Sequence, residues 1–142
     1  MASLIKNSKK WAGFTLIELM ITVSIIGLLT ILVYPSYISS VQQARRSDGK
    51  STLLDVQAQL ERCYTQSLSY STCIPTLNLP VTSPETYYTV NVSGTAATTT
   101  YTLAATAVGV QAQDTQCAVF FVNQLGQQTA NTNAGAANTN CW

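Results

Sequence analysis

Few side chains in this sequence could do chemistry, and they are unevenly placed. Glu18 is a carboxylate inside the run Phe14–Tyr34, FTLIELMITVSIIGLLTILVY, where 15 of 21 residues are apolar. A charge in such a setting costs about 2.5–3.5 kcal/mol at a bilayer centre and is functional by default. It calls for a cation as partner, snorkelling to the headgroups being the alternative. Cys63, Cys73, Cys117 and Cys141 can form two disulfides in three possible pairings. Without histidine there is no imidazole base, no imidazole ligand and no Cys/His or Ser/His pair. Arg45, Arg46 and Lys50 read as a solvated helix face; salt bridges to Asp48 or Asp55 of a neighbouring subunit, or contact with anionic headgroups, are the alternatives. Glu85 and Asp114 read as isolated, solvated carboxylates rather than a calcium site or an acid/base pair. Nothing here points to an enzyme, a cofactor or a metal.

The elements that position these residues follow from length and periodicity. The chain has 142 residues, room for one ordinary domain. Only 9% are charged, against about 25% in an average soluble domain. No Lys or Arg follows Arg62. Phosphate-tracking nucleic-acid binding is driven by such cations, so nucleic acid is an unlikely partner for the C-terminal half. As a helix, Phe14–Tyr34 would span about 30 Å, a bilayer's hydrocarbon thickness. A domain this small has too little core to enclose it, and a secretory signal would need a shorter apolar run with a small-x-small site after it. Lys6, Lys9 and Lys10 lie closer to the apolar edge than Arg45, Arg46 and Lys50, which places the leader in the cytoplasm. From Ser36 to about Thr65 the pattern turns amphipathic, with Tyr37, Ile38, Val41 and Ala44, then Leu53, Val56, Leu60 and Cys63/Tyr64 at helical spacing. One long helix is the simplest reading, kinked at Pro35 and weakened at Gly27. Residues 66–85 read as a loop punctuated by Pro75, Pro80 and Pro84. Thr86–Val92, Thr99–Ala105 and Gln116–Val122 read as strands, the first two joined by a turn at Val92–Thr95. The tail Gln127–Asn140 would be floppy unaided.

The stretch Lys9-Lys10-Trp11-Ala12-Gly13-Phe14-Thr15-Leu16-Ile17-Glu18-Leu19-Met20 resembles the class III signal of type IV prepilins: basic leader, Gly, Phe, then an apolar helix with Glu fifth from the Phe. The resemblance implies that a prepilin peptidase cuts between Gly13 and Phe14 and N-methylates Phe14. It implies that Glu18 then pairs with the Phe14 α-amine of a neighbouring subunit, a charge that exists only after cleavage. An exported head lies in an oxidising compartment, so disulfides are expected. Cys63–Cys73 and Cys117–Cys141 are the favoured pairs, the first stapling the helix end to its loop and the second tying down the tail. A zinc site would want a C-x-x-C pair, and there is none. The segment from Cys117 through Asn123-Gln124-Leu125-Gly126, with Cys141-Trp142, resembles the disulfide-bounded D-region of type IVa pilins, and most of all PilE-type minor pilins. The Cys63–Cys73 loop is not part of that group's common pattern.

The expected fold is therefore α+β: a long, bent, partly transmembrane helix on a small antiparallel sheet, lollipop-shaped, with a C-terminal D-region. Its expected parts are a leader at 1–13, a hydrophobic transmembrane and assembly helix at 14–35, an amphipathic helix at 36–65, and at 66–142 the αβ-loop, sheet and D-region. The resemblance implies a structural, minor subunit of a type IV pilus that supports pilus biogenesis, adhesion and twitching motility. Its implied partners are other pilins in a homo- or hetero-oligomeric filament, the prepilin peptidase and the inner-membrane assembly machinery. It would wait in the bacterial inner membrane with its head in the periplasm, then leave in an extracellular pilus. A major pilin, a DNA-uptake pilin and a type II secretion pseudopilin are the alternatives.

Overall fold

A computed structural model describes residues 13–142; Lys6, Lys9, Lys10 and the rest of the leader before Gly13 lie outside the described residues. The chain divides into two compact units, Met1–Ile38 and Ser39–Trp142.

In the first unit, helix α1 (Leu16–Ser67) begins two residues after Phe14 and continues through Gly27 and Pro35. Pro35 has no N–H to offer the carbonyl one turn earlier, yet the helix persists, carried by the bonds on either side. Every side chain described between Phe14 and Ile38 is exposed. The helix here is long and apolar enough to cross a membrane, and nothing in its own unit covers it.

The second unit, the head, is built on the remainder of α1. Thr52, Leu53, Val56 and Leu60 are buried at spacings of three and four, one stripe of a helix facing a core. Five strands make a meander in the order β1 (Val81–Thr82), β2 (Tyr88–Val92), β3 (Thr102–Ala107), β4 (Val119–Asn123), β5 (Gln128–Asn131), each antiparallel to its neighbour. Period-two alternation sets the faces. Tyr88, Val90, Leu103, Ala105, Phe120, Val122 and Ala130 point to the core. The outward positions are half-buried or exposed: Thr89 and Asn91, then Thr102, Ala104 and Thr106, then Val119, Phe121 and Asn123, then Thr129 and Asn131. None of the five strands carries a charged side chain.

Several expectations need correction. The stretch 66–85 is more than a loop: it holds helix α2 (Tyr70–Cys73), a 3-10 turn (Ile74–Leu77) and β1. Tyr70 and Cys73 are buried there, and burial rather than local propensity orders the segment. The strands start later than their patterns suggest. Val92–Thr95 does not close a tight hairpin, because Val92 pairs with Leu103 and the intervening chain reaches out to α2, Tyr70 donating its N–H to Thr98 O at 3.0 Å. Cys117 lies ahead of β4, since the N–H groups of Gln116 and Cys117 turn to the Asp114 carboxylate at 3.2 Å. The tail, expected to be floppy unaided, forms β5. Ala118 N donates to Asn131 O at 3.0 Å and Asn138 N to Ala130 O at 2.8 Å, so backbone pairing does much of the work.

Candidate functional site

The N-terminal group of interest is small. Gly13, Phe14 and Thr15 are non-helical, and Phe14 is 85% exposed, so the Gly13–Phe14 bond lies in open chain rather than inside a helix. Glu18 N donates to Thr15 Oγ1 at 3.3 Å, which makes Thr15 the N-cap of α1. Thr15-Leu16-Ile17-Glu18 is thus a capping-box sequence, a helix-start signal that lies within the apolar run itself. Glu18 falls in the first turn, where the helix dipole favours a negative charge by about 0.3–1 kcal/mol. That offsets part of the cost of holding a carboxylate in hydrocarbon. Among the described residues its carboxylate has no partner. The hydroxyls of the same run do: Thr22 donates to Leu19 O, Ser24 to Met20 O and Thr30 to Ile26 O, each at 2.8 Å. Hydroxyls folded back in this way leave no unsatisfied donor on a lipid-facing surface.

In the head, the structure gathers polar groups that sequence reading scattered. Asp114 is not solvated; it is 1% exposed and receives Arg46 through two bonds, Nε at 2.6 Å and Nη2 at 2.9 Å. Burial opposes its ionisation, but the Arg46 guanidinium and the N–H groups of Cys117 and Gln116 outweigh this and hold the carboxyl below its ordinary value. Buried Gln111 spreads its amide over three acceptors at 3.2 Å: Gln42 O, the Tyr88 hydroxyl and Asp114. Burial pushes the Tyr88 phenol up to about 12. The Tyr88 ring lies flat on the backbone at Gly49, where an added Cβ would come within 2.5 Å of ring carbon Cγ. Asp48 accepts from the Ser83 hydroxyl and, at 3.3 Å, from Glu85 N, tying the β1–β2 connection to the helix.

Arg45 and Lys50 are also used internally, whereas Arg62 is exposed. Arg45 stacks 4.6 Å from the centre of the Tyr87 ring. Lys50 Nζ sits 5.3 Å above Phe120 and 5.4 Å above Trp142, and burial together with nearby Arg46 pushes its pKa down. The cluster read as a solvated face is therefore a set of helix-to-sheet fasteners. At the far end of α1, Tyr70 and Tyr101 both donate to Glu61, at 2.9 and 2.6 Å. Burial, then Glu61, raises both phenols, Tyr70 to about 12.

Cys63 is joined to Cys73 and Cys117 to Cys141. The second bridge closes over a segment that Trp142 also clamps, its Nε1 donating to Thr129 O at 2.8 Å and its ring packing edge-on against Phe120. No group of side chains among the described residues is suited to hold a metal ion.

Comparison with known proteins brings in three findings. Residues 35–121 match the family described as "Type IV minor pilin ComP, DNA uptake sequence receptor". Residues 12–34 match the "Prokaryotic N-terminal methylation motif". A "Fimbrial protein" of Moraxella nonliquefaciens is 40% identical over 64 residues, which cover 41% of this chain and 40% of that protein. The chain thus aligns with about two-fifths of that relative's length.

Proposed function

Because the chain belongs to the family of type IV minor pilins described for ComP, we propose that it is a minor structural subunit of a type IV pilus. It is inserted in the bacterial inner membrane with its head in the periplasm, cut by prepilin peptidase between Gly13 and Phe14, N-methylated on Phe14 and drawn by the assembly machinery into a filament with other pilins. In that filament it would support pilus biogenesis, adhesion and twitching motility.

One observation carries this reading. From Leu16 to Ile38 helix α1 exposes large apolar side chains along its length, folds back the hydroxyls of Thr22, Ser24 and Thr30, and keeps a single carboxylate, Glu18, without a side-chain partner among the described residues. Such a surface is stable in lipid or against other helices and not in water. Cleavage creates a protonatable amine at Phe14, and N-methylation preserves its charge. On its own helix that amine would sit at the positive end of the dipole, an unfavourable place. Beside the Glu18 of a neighbour it gains a counter-ion in a medium of low dielectric, where the attraction is strong. Uncut precursor has only an amide nitrogen there, so processing licenses assembly.

The family's description favours a second reading, a DNA receptor. The placement of the head's cations argues against it: Arg46 is held by Asp114, Arg45 lies on Tyr87 and Lys50 on two rings, which leaves Arg62 as the one exposed basic side chain described in the head. Phosphate contacts need free cations that shed counter-ions. A gel-shift titration with duplex DNA at low salt is expected to show no salt-dependent complex.

The decisive experiment is mass spectrometry of the N-terminus in sheared filaments and membranes. It should find N-methyl-Phe14; an intact leader would overturn the processing step. Glu18→Ala should still be cut yet be incorporated poorly, and normal incorporation would reduce Glu18 to a snorkelling residue.

A further inference from the structure

The two disulfides of the head stand in different surroundings. Cys117 and Cys141 are both buried, and the polar atom beside Cys141 Sγ is the Gln116 carbonyl oxygen at 3.4 Å, which has no proton to give. In the other bridge Cys73 is fully buried, but Cys63, near the C-terminal end of α1, is only half-buried. The Ser67 hydroxyl lies 3.0 Å from Cys73 Sγ and 4.0 Å from Cys63 Sγ. It also lies 3.1 Å from Cys63 O and 3.2 Å from Ser69 O, so its one proton can turn among several acceptors. The charge nearby is positive. Exposed Arg62 precedes Cys63, the Glu61 carboxylate is engaged by the Tyr70 and Tyr101 phenols, and no charged residue follows until Glu85.

We propose that Cys63–Cys73 is a site of thiol–disulfide exchange, where an external thiolate attacks Cys63 Sγ. Access selects the sulfur: solvent reaches Cys63 and not Cys73. The attacking sulfur forms a bond to Cys63 Sγ, the Cys63–Cys73 bond breaks, and its electron pair leaves on Cys73, which then takes a proton from solvent. Attack by a second thiol on the mixed disulfide completes the reaction, two external thiols becoming one disulfide as the bridge becomes two thiols. A leaving thiolate departs faster the better it is stabilised. The Ser67 hydroxyl can turn from a carbonyl to the charge forming on Cys73, whereas at Cys141 a carbonyl oxygen would repel it. Arg62 favours the approach of an anionic sulfur. Opening the bridge unties α2 and the 3-10 turn at Ile74–Leu77 from the end of α1, and leaves the Cys117–Cys141 bridge closed. The inference rests on the head alone and does not depend on how the chain assembles.

The test uses the full chain in detergent micelles, exposed to reduced glutathione or, separately, to reduced thioredoxin as a protein dithiol. Samples are quenched by alkylation, and peptide mass spectrometry reads each cysteine separately. Cys63–Cys73 should open while Cys117–Cys141 stays closed and the near-ultraviolet circular dichroism of the head persists. With glutathione the mixed disulfide should be found on Cys63. Opening by either reagent supports the site, and the faster of the two identifies the source of the thiolate. Ser67→Ala should slow opening about tenfold, the effect of removing a hydrogen bond to a developing charge. Ser67→Thr, which keeps the hydroxyl, should restore the native rate, so that a general packing defect cannot imitate the result. The proposal is overturned if neither reagent opens the bridge or if glutathione is captured on Cys73. Opening of both bridges together, at a rate that rises with urea as global unfolding does, would overturn it too, as would a native rate in Ser67→Ala.

Discussion

The two units handle polar groups in opposite ways. Between Phe14 and Ile38 the hydroxyls of Thr22, Ser24 and Thr30 bond to carbonyls three or four residues back, and the Glu18 carboxylate has no partner among the described residues. In the head three carboxylates are met from far away in sequence: Asp114 by Arg46 across 68 positions, Asp48 by Ser83 across 35, Glu61 by Tyr101 across 40. Helix α1 supplies residues to both arrangements, so propensity does not explain the difference. The environment does. Where no core exists, a polar side chain must be satisfied locally or by another molecule; where a sheet covers the helix, long-range partners are within reach and solvent is not.

Breaking the strongest long-range pair should give the largest effect. Asp114→Ala leaves Arg46 without its counter-ion in a site where Arg46 is 17% exposed, and should cost about 3 kcal/mol in head stability by urea unfolding. Acid probes the same pair. Asp114 is held below its ordinary 3.8, so its stabilisation is complete above about pH 4 and fades as pH falls through the depressed value. The pH dependence of unfolding below pH 4 should therefore flatten in Asp114→Asn. A pH profile identical to the native one would show that the pair does not couple to folding.

Disulfide removal comes next. The bridges separate their cysteines by 24 and 10 positions, for which chain entropy assigns about 3.5 and 2.8 kcal/mol. Backbone pairing of β5 and Asn138 supports the tail independently, so the gap between the two variants should stay under about 1 kcal/mol. Thermal melts of Cys141→Ser and Cys73→Ser should fall in that order, and the reverse order would show that buried Cys73 packing outweighs ring size.

Gly49→Ala sharpens the comparison at one residue. Helix propensity favours Ala by about 1 kcal/mol. The new methyl would meet the root of the Tyr88 ring at 2.5–2.8 Å, and that ring is fully buried. Overpacking of this kind costs about 1–3 kcal/mol, so the net change should be destabilising by about 1 kcal/mol. A stabilised variant would mean that Tyr88 can move aside.

The smallest effect is expected in the first unit. Thr22→Val removes a hydroxyl that bonds only its own helix, and head stability and filament incorporation should both stay within about 0.5 kcal/mol of native. A clear loss of incorporation would show that Thr22 contacts a neighbouring subunit.

Local pattern alone determined much of this protein. The 21-residue apolar run, the Gly13-Phe14 junction with Glu18 behind it, the amphipathic stripe through Leu53, Val56 and Leu60, and an α+β head are all readable from spacing and motif, because each depends on neighbours within two helical turns or on strand alternation. Thr15 as a helix cap was equally readable. The tertiary structure alone decided the rest. Arg46 next to Asp114, Gln111 under Tyr88, and Gly49 as the seat of an aromatic ring have no sequence signature, since an ion pair or a close contact across dozens of residues leaves no periodicity behind. The same holds for α2, β1 and β5: a four-residue helix, a two-residue strand and an Asn/Gln/Thr tail carry too little intrinsic preference to declare themselves, and they form because buried contacts and open strand edges were there to receive them.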